Sequence, residues 1–138
     1  MENKENHAAQ IVVILLLALI AISVLIFVKC TPYGVGLVSD SVNYINGARS
    51  LSQGNGYYRQ SGGNTIKPIT NFPPLYSIIL SVPILFGVNG LDAAWWVSLI
   101  FFVLNLIFIT AIVWRGSDSP WAGLCAGTIF LTLRPYLY

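Results

Sequence analysis

The 138-residue chain is 56% hydrophobic and only 9% charged, with a formal net charge of +2. Soluble domains carry about a quarter charged residues, so these few charges are too sparse to cover a globular surface. The small net charge, without a block of basic residues, argues against a nucleic-acid-binding protein. The two cysteines, Cys30 and Cys125, have no zinc-type spacing and suggest no disulfide framework. Composition therefore predicts an integral membrane protein.

The first apolar segment carries no charged residue over the 18 positions from Ile11 to Val28. At about 1.5 Å per residue, such a run can cross a hydrocarbon core of roughly 30 Å. It is longer than a signal-peptide core of about 7–15 residues, and no A-x-A-like cleavage site follows it. We therefore expect a retained transmembrane helix over 8–28 after a cytoplasmic tail over 1–7, and a cleaved signal peptide is the less favoured alternative.

A long polar segment over 29–92 follows, and we expect it on the extracytoplasmic side. Within it, apolar side chains over 39–53 recur at spacings of three and four, which predicts a short amphipathic helix at the membrane interface. Ser39 or Asp40 is suited to cap its start, and Gly54 is suited to end it.

The segment 74–87 is apolar but only fourteen residues long. Pro83 lies inside it and removes a backbone hydrogen bond from a helix. Apolar runs of this length more often lie in the interface or re-enter the membrane than span it. We therefore expect a second interfacial helix here, and a true span is the alternative.

Two further apolar segments complete the chain. Tryptophans bound the predicted second span, 93–114, as expected at the two membrane interfaces. A cytoplasmic loop over 115–120 leads to a third span over 121–138. Since no polar tail follows that span, we expect the chain to be truncated. The prediction is an all-α membrane protein with about three transmembrane helices plus interfacial juxtamembrane helices in the first external loop.

Basic residues give the expected orientation. Lys4 and Arg115 favour a cytoplasmic N-terminus, because positive charges near spans favour the cytoplasm. The external segment then carries, against that rule, four basic residues: Lys29, Arg49, Arg59 and Lys67. An external segment with this much positive charge is typical of a functional region in which the charge has a role other than setting the orientation.

Asp40 is the candidate acid, since it is the only carboxylate between Lys29 and Leu91. An Asp near a helix start usually caps the helix, and its local sequence alone favours that interpretation. A functional interpretation comes from the surrounding pattern.

Short motifs surround Asp40 in a fixed order. They are Ser39-Asp40-Ser41-Val42-Asn43-Tyr44, Ala48-Arg49-Ser50-Leu51, Gly54-Asn55-Gly56-Tyr57, Phe72-Pro73-Pro74-Leu75-Tyr76 and Leu85-Phe86-Gly87. With these motifs the chain resembles the N-terminal part of the integral-membrane GT-C glycosyltransferases, which include protein mannosyltransferases and lipid A aminoarabinose transferases. The resemblance covers nearly the whole chain, and it rests on the order of the motifs, since each one alone is weak.

The resemblance implies transfer of a sugar from a polyprenyl-phosphate donor to an envelope glycan, lipid or protein, at the plasma (inner) membrane of a prokaryote. It places the active-site acid in the first external loop, where it corresponds to Asp40. That carboxylate would act as a general base toward the acceptor or help to hold a divalent metal, Mg or Mn. Some relatives carry a second acid beside the first, whereas Ser41 follows here. A further acid is expected in a second external loop, beyond Tyr138.

Arg59 and Lys67 are the candidates for the donor phosphate, because Arg binds phosphate through a bidentate fork and Lys as a point charge. Both are expected in an irregular part of the loop. Tyr57 and Tyr58 are candidates to line a sugar site. The alternatives are solvated or headgroup-facing charges and interfacial aromatic rings. The rival function is a non-catalytic small membrane protein, a scaffold or a transporter fragment, in which the loop only covers the interface.

Overall fold

The computed structural model describes residues 2–61 and 65–132, with side chains over 10–60 and 66–132. The described residues form five helices and one antiparallel hairpin, in the order α1 (Glu2–Cys30), α2 (Ser39–Ser52), β1 (Tyr58–Ser61), β2 (Thr65–Pro68), α3 (Leu75–Leu85), α4 (Gly90–Ser117) and α5 (Pro120–Thr132). The chain divides into two compact units, which we call the bundle unit (Met1–Pro32 with Leu99–Tyr138) and the loop unit (Tyr33–Ser98). The predicted all-α class is supported, with the hairpin as an unpredicted addition.

Within the described part of the chain, two helices are long and apolar enough to cross a membrane, Gln10–Cys30 within α1 and the whole of α4. Helix α1 begins at Glu2, so the described part of the predicted tail over 1–7 is helical. Helices α3 and α5 are shorter apolar helices of 11 and 13 residues. The third predicted span extends into 133–138, which lies outside the described residues.

Small and polar side chains lie beside buried aromatic and aliphatic groups in the contacts inside the bundle unit. Ser23 and Thr110 are at most 1% exposed, and their hydroxyls donate to backbone carbonyls of the preceding turn at 2.7 and 2.8 Å. A Cβ on Gly123 would lie 2.6 Å from the Thr110 carbonyl oxygen, and one on Gly127 would meet Leu106 at 3.2 Å. The spacing Gly-x-x-x-Gly thus lets α5 approach α4 closely, as is common between membrane helices.

The outward surface of the bundle unit is apolar. Large aliphatic and aromatic side chains there are about half or more exposed, namely Ile14, Leu17, Leu25, Phe108, Ile112 and Ile129. Soluble proteins bury such residues and expose polar ones. Buried apolar side chains such as Leu106 and Phe130 are present as well, but this many exposed large apolar groups favour lipid as the surrounding solvent.

The loop unit has a small core between α2, α3 and the start of α4. Its buried apolar members are Ile45, Ala48, Leu80, Ala93, Ala94 and Val97. The Ser77 hydroxyl of α3 donates to the Tyr44 carbonyl of α2 at 2.9 Å. The Tyr44 ring meets Phe72 and Tyr76 edge-on, with centroids 5.3 and 5.4 Å apart. Apolar contacts and one buried hydrogen bond therefore fix α3 against α2.

Glycines end both short helices of the loop unit. Gly54 (φ +75°) follows α2 and Gly87 (φ +86°) follows α3, each in the left-handed region where a side chain is strained. In each case the backbone N–H groups just past the helix return to carbonyls of its last turn, a Schellman arrangement. Pro83 lies within this last turn of α3, and its own carbonyl accepts from Val88 N–H at 3.2 Å. The predicted role of Gly54 is confirmed.

Candidate functional site

Asp40 lies exposed in the first turn of α2. The residue at the N-cap position is Val38, and no side chain makes a capping hydrogen bond, so the prediction that Ser39 or Asp40 caps this helix is wrong. Instead the Ser39 hydroxyl donates to Asp40 Oδ1 at 3.3 Å. A carboxylate in the first turn still gains from the partial positive charge of the helix start, while it stays open to solvent.

The polar stretch that was predicted to be irregular contains the hairpin. Arg59 of β1 is paired directly with Lys67 of β2, so their side chains leave the same face of the hairpin. Like charges in directly opposed positions destabilise a strand pair. Both residues are exposed, and an anion bound between them would relieve this repulsion.

A hydrogen bond joins the hairpin to the start of α2. Arg59 Nη1 donates to Asn43 Oδ1 at 2.8 Å, and Asn43 Nδ2 in turn donates to the Ser39 carbonyl at 3.0 Å. Asn43 follows Asp40 by three residues, or about 4.5 Å of helix rise. The structure therefore brings the two most important sequence candidates, the acid and one cation, to the same end of α2.

Tyr57 has a packing role in the loop unit. It is half-buried, its ring lies over Gly47, and a Cβ at that glycine would come 2.9 Å from Tyr57 Cδ2 and closer still to Cε2. Its hydroxyl accepts a long hydrogen bond from Ser77 Oγ at 3.4 Å. Tyr57 is thus placed against α2 and α3, away from the groove described next.

An open groove of about 420 Å³ runs between α2 and the hairpin. Tyr58, 37% exposed, contributes its ring. The groove has a largely polar lining, formed by Asn46, Arg49, Ser50, Gln53, Asn55, Tyr58, Arg59, Gln60 and Ile66. Of the four residues predicted to bind substrate, Tyr58 and Arg59 border this groove, whereas Tyr57 and Lys67 do not.

Arg49 also borders the groove, although it was not among the residues predicted to bind the donor phosphate. Its Nη2 donates to Asn89 Oδ1 at 3.3 Å, and the same oxygen accepts from the Leu91 N–H at the start of α4. The available sequence signal was the polar face formed by Asn46, Ser50 and Gln53 at helical spacing. Without the hairpin, nothing indicated what that face borders.

The described residues offer one candidate ligand for a divalent metal at the predicted site, the carboxylate of Asp40. Among them, no group of three or more His, Cys, Asp and Glu side chains comes together. Asp40 offers one carboxylate with Ser39 and Ser41 beside it, and hard divalent cations take six or more oxygen ligands. We therefore derive no step through a metal from this part of the chain.

Comparison with known proteins gives no match: no family model fits the sequence, and neither a curated protein nor a solved structure is significantly similar to it.

Proposed function

We propose that the chain is the N-terminal portion of a multi-pass membrane glycosyltransferase that takes its sugar from a polyprenyl-phosphate donor. The observation that carries the proposal is the juxtaposition at the start of α2. There an exposed carboxylate, Asp40, lies one helical turn from Asn43, which holds the guanidinium of Arg59. A base beside a phosphate-binding cation is the pair that such a transfer needs.

The proposed chemistry uses one proton and one leaving group. The acceptor hydroxyl oxygen attacks the anomeric carbon of the donor sugar, and its proton passes to the Asp40 carboxylate. The bond between that carbon and the donor phosphate oxygen breaks, and polyprenyl phosphate leaves with the electron pair. Arg59 and Lys67 would stabilise the charge that develops on this phosphate, with Arg59 already oriented by Asn43.

Exposed apolar residues flank the proposed base. Leu37, Val38 and Val42 are 54%, 64% and 45% exposed. On α3 the face opposite the buried Ser77 and Leu80 is equally apolar, with the exposed residues Leu75, Ile78, Val82 and Leu85. These surfaces support an interfacial position for α2 and α3, where an isoprenoid-linked donor embedded in the bilayer is accessible.

The test is Asp40→Asn in the protein expressed from its complete reading frame, assayed in membranes for transfer from a polyprenyl-phosphate sugar. The amide keeps the shape of the side chain but cannot take the proton. We expect the turnover rate to fall on the order of 100-fold or more. Helix α2 should persist, because Asp40 makes no capping bond.

The matched control is Asp92→Asn, since Asp92 is also exposed in the first turn of a helix, α4. It should retain activity. Equal turnover in the Asp40→Asn variant and the unaltered protein would contradict the assignment. If the protein is instead a non-catalytic scaffold, sugar transfer from the polyprenyl-phosphate donor should not depend on its gene.

A further inference from the structure

The groove between α2 and the hairpin carries two guanidinium groups, Arg49 and Arg59, and none of its described lining residues is acidic. Each guanidinium donates a hydrogen bond to a neutral amide, Arg49 to Asn89 and Arg59 to Asn43. Amide oxygens orient a guanidinium but leave its charge uncompensated. The groove therefore presents positive charge that an anionic ligand would neutralise.

Arg49 is held in place from two sides. Asn89 is fixed at the start of α4, where its carbonyl accepts from Ala93 N–H at 2.8 Å. Gly90 leaves room for the arginine, since a Cβ there would lie 3.2 Å from Arg49 Nε and 2.7 Å from a methyl carbon of Ile45. The absence of a side chain at Gly90 and the amide of Asn89 together set the direction of Arg49. Such pre-orientation lowers the entropy lost when a ligand binds.

The rest of the lining selects the kind of ligand. The amide side chains of Asn46, Gln53 and Asn55 offer both donors and acceptors, as a molecule with several hydroxyls requires. The partly exposed ring of Tyr58 adds one flat apolar surface. The volume, about 420 Å³, lies within the range of small-molecule sites, about 300–1,000 Å³.

We infer that this groove binds a small anionic sugar whose phosphate or carboxylate group pairs with Arg49. The inference does not depend on the transfer reaction, because Asp40 does not border the groove. Arg59 lies at the edge common to this groove and the proposed donor site, so the test is directed at Arg49.

The experiment measures binding of glucose 1-phosphate and of glucuronate to the full chain in nanodiscs of neutral lipid, by titration calorimetry. Glucose and inorganic phosphate are the comparison probes. We expect at least one anionic sugar to bind more tightly than glucose and than inorganic phosphate, because only an anionic sugar can contact both the Arg49 cation and the amide side chains. Comparing glucose 1-phosphate with glucuronate shows whether the groove prefers phosphate or carboxylate.

Arg49→Gln should weaken binding of the anionic sugar by about tenfold or more. Arg115→Gln, which removes an exposed arginine of the bundle unit, should not.

Gln53→Glu provides a second variant that leaves the interior unchanged, since Gln53 is exposed on the groove. It adds a negative charge of nearly the same shape and should also weaken binding of the anionic sugar. The inference is overturned if both variants bind as tightly as the unaltered chain. It is equally overturned if glucose or inorganic phosphate binds as well as both anionic sugars.

Discussion

Single residues in the loop unit show how closely α2 and the hairpin are fitted. Gly47 is buried on α2, and the ring of Tyr57 and the side chain of Ile69 occupy the space where a Cβ would project. The backbone of Ile69 is tied to the same place, since its N–H donates to the Tyr57 carbonyl at 3.1 Å. The absence of a side chain at Gly47 therefore allows the hairpin to lie against the helix.

Gly47→Ala should destabilise the loop unit. Although alanine favours a helix more than glycine, its methyl group would collide with Tyr57, and overpacking of this kind costs about 1–3 kcal/mol. We expect faster hydrogen exchange at the Ile69 amide, measured by mass spectrometry on the chain in nanodiscs. Gly36→Ala is the control, because no atom lies within 4 Å of the position its Cβ would take. Unchanged exchange in Gly47→Ala would show that the Tyr57 ring can move away without loss.

At this scale the sequence predicted the helix around Asp40 but not what surrounds it. Asp40 lies in the first turn of that helix, whereas the expected cap does not form. Arg49 was not assigned to a site because its orienting partner, Asn89, is forty residues away. Helical periodicity reports which residues share a face, but it does not report what that face meets.

At the scale of elements, helices were predicted well and strands were not. Hydrophobic runs and terminal glycines locate α2 and α3, because each is a local signal. The strands β1 and β2 are four residues each and mostly polar, too short for an alternation of apolar and polar residues to identify them. Their pairing is stabilised by contact with α2, at Asn43 and Gly47, and such contact has no local signature.

The contact between α4 and α5 carries a prediction of its own. Gly123 and Gly127 lie one turn apart on α5, and both meet Thr110 of α4. Membrane helices associate mainly through close packing. If a larger side chain separates two such helices, hydrophobic burial does not compensate for the packing contacts that are lost. Gly127→Leu should lower the thermal unfolding midpoint in detergent by several degrees, as overpacking costs about 1–3 kcal/mol. Gly116→Leu, at a position with open space around it, should change it little. An equal effect of the two substitutions would argue against the specific contact.

At the scale of the whole molecule, the two units share an apolar surface but not the polar groove. Both units expose large apolar side chains, whereas the groove and the exposed Asp40 lie in the loop unit. Composition averaged over the chain points to a membrane but does not separate these two parts. Three of the basic residues, Arg49, Arg59 and Lys67, lie in the loop unit, on or beside the groove and the hairpin.

The orientation of the chain in the membrane gives the last prediction. If α1 and α4 each cross once, the segment between Cys30 and Gly90 lies on a single side, and Ser117 lies on the other. Helix α3, with 11 residues, reaches only about 16 Å, too short for a core of roughly 30 Å. In a background of Cys30→Ser and Cys125→Ser, we expect Asn55→Cys to react with an impermeant maleimide applied outside intact cells. Ser117→Cys should react only after the membrane is opened. If both cysteines were labelled from outside, the chain would have to cross the membrane once more between positions 55 and 117, in addition to α4. Only α3 could provide that crossing, and it is too short.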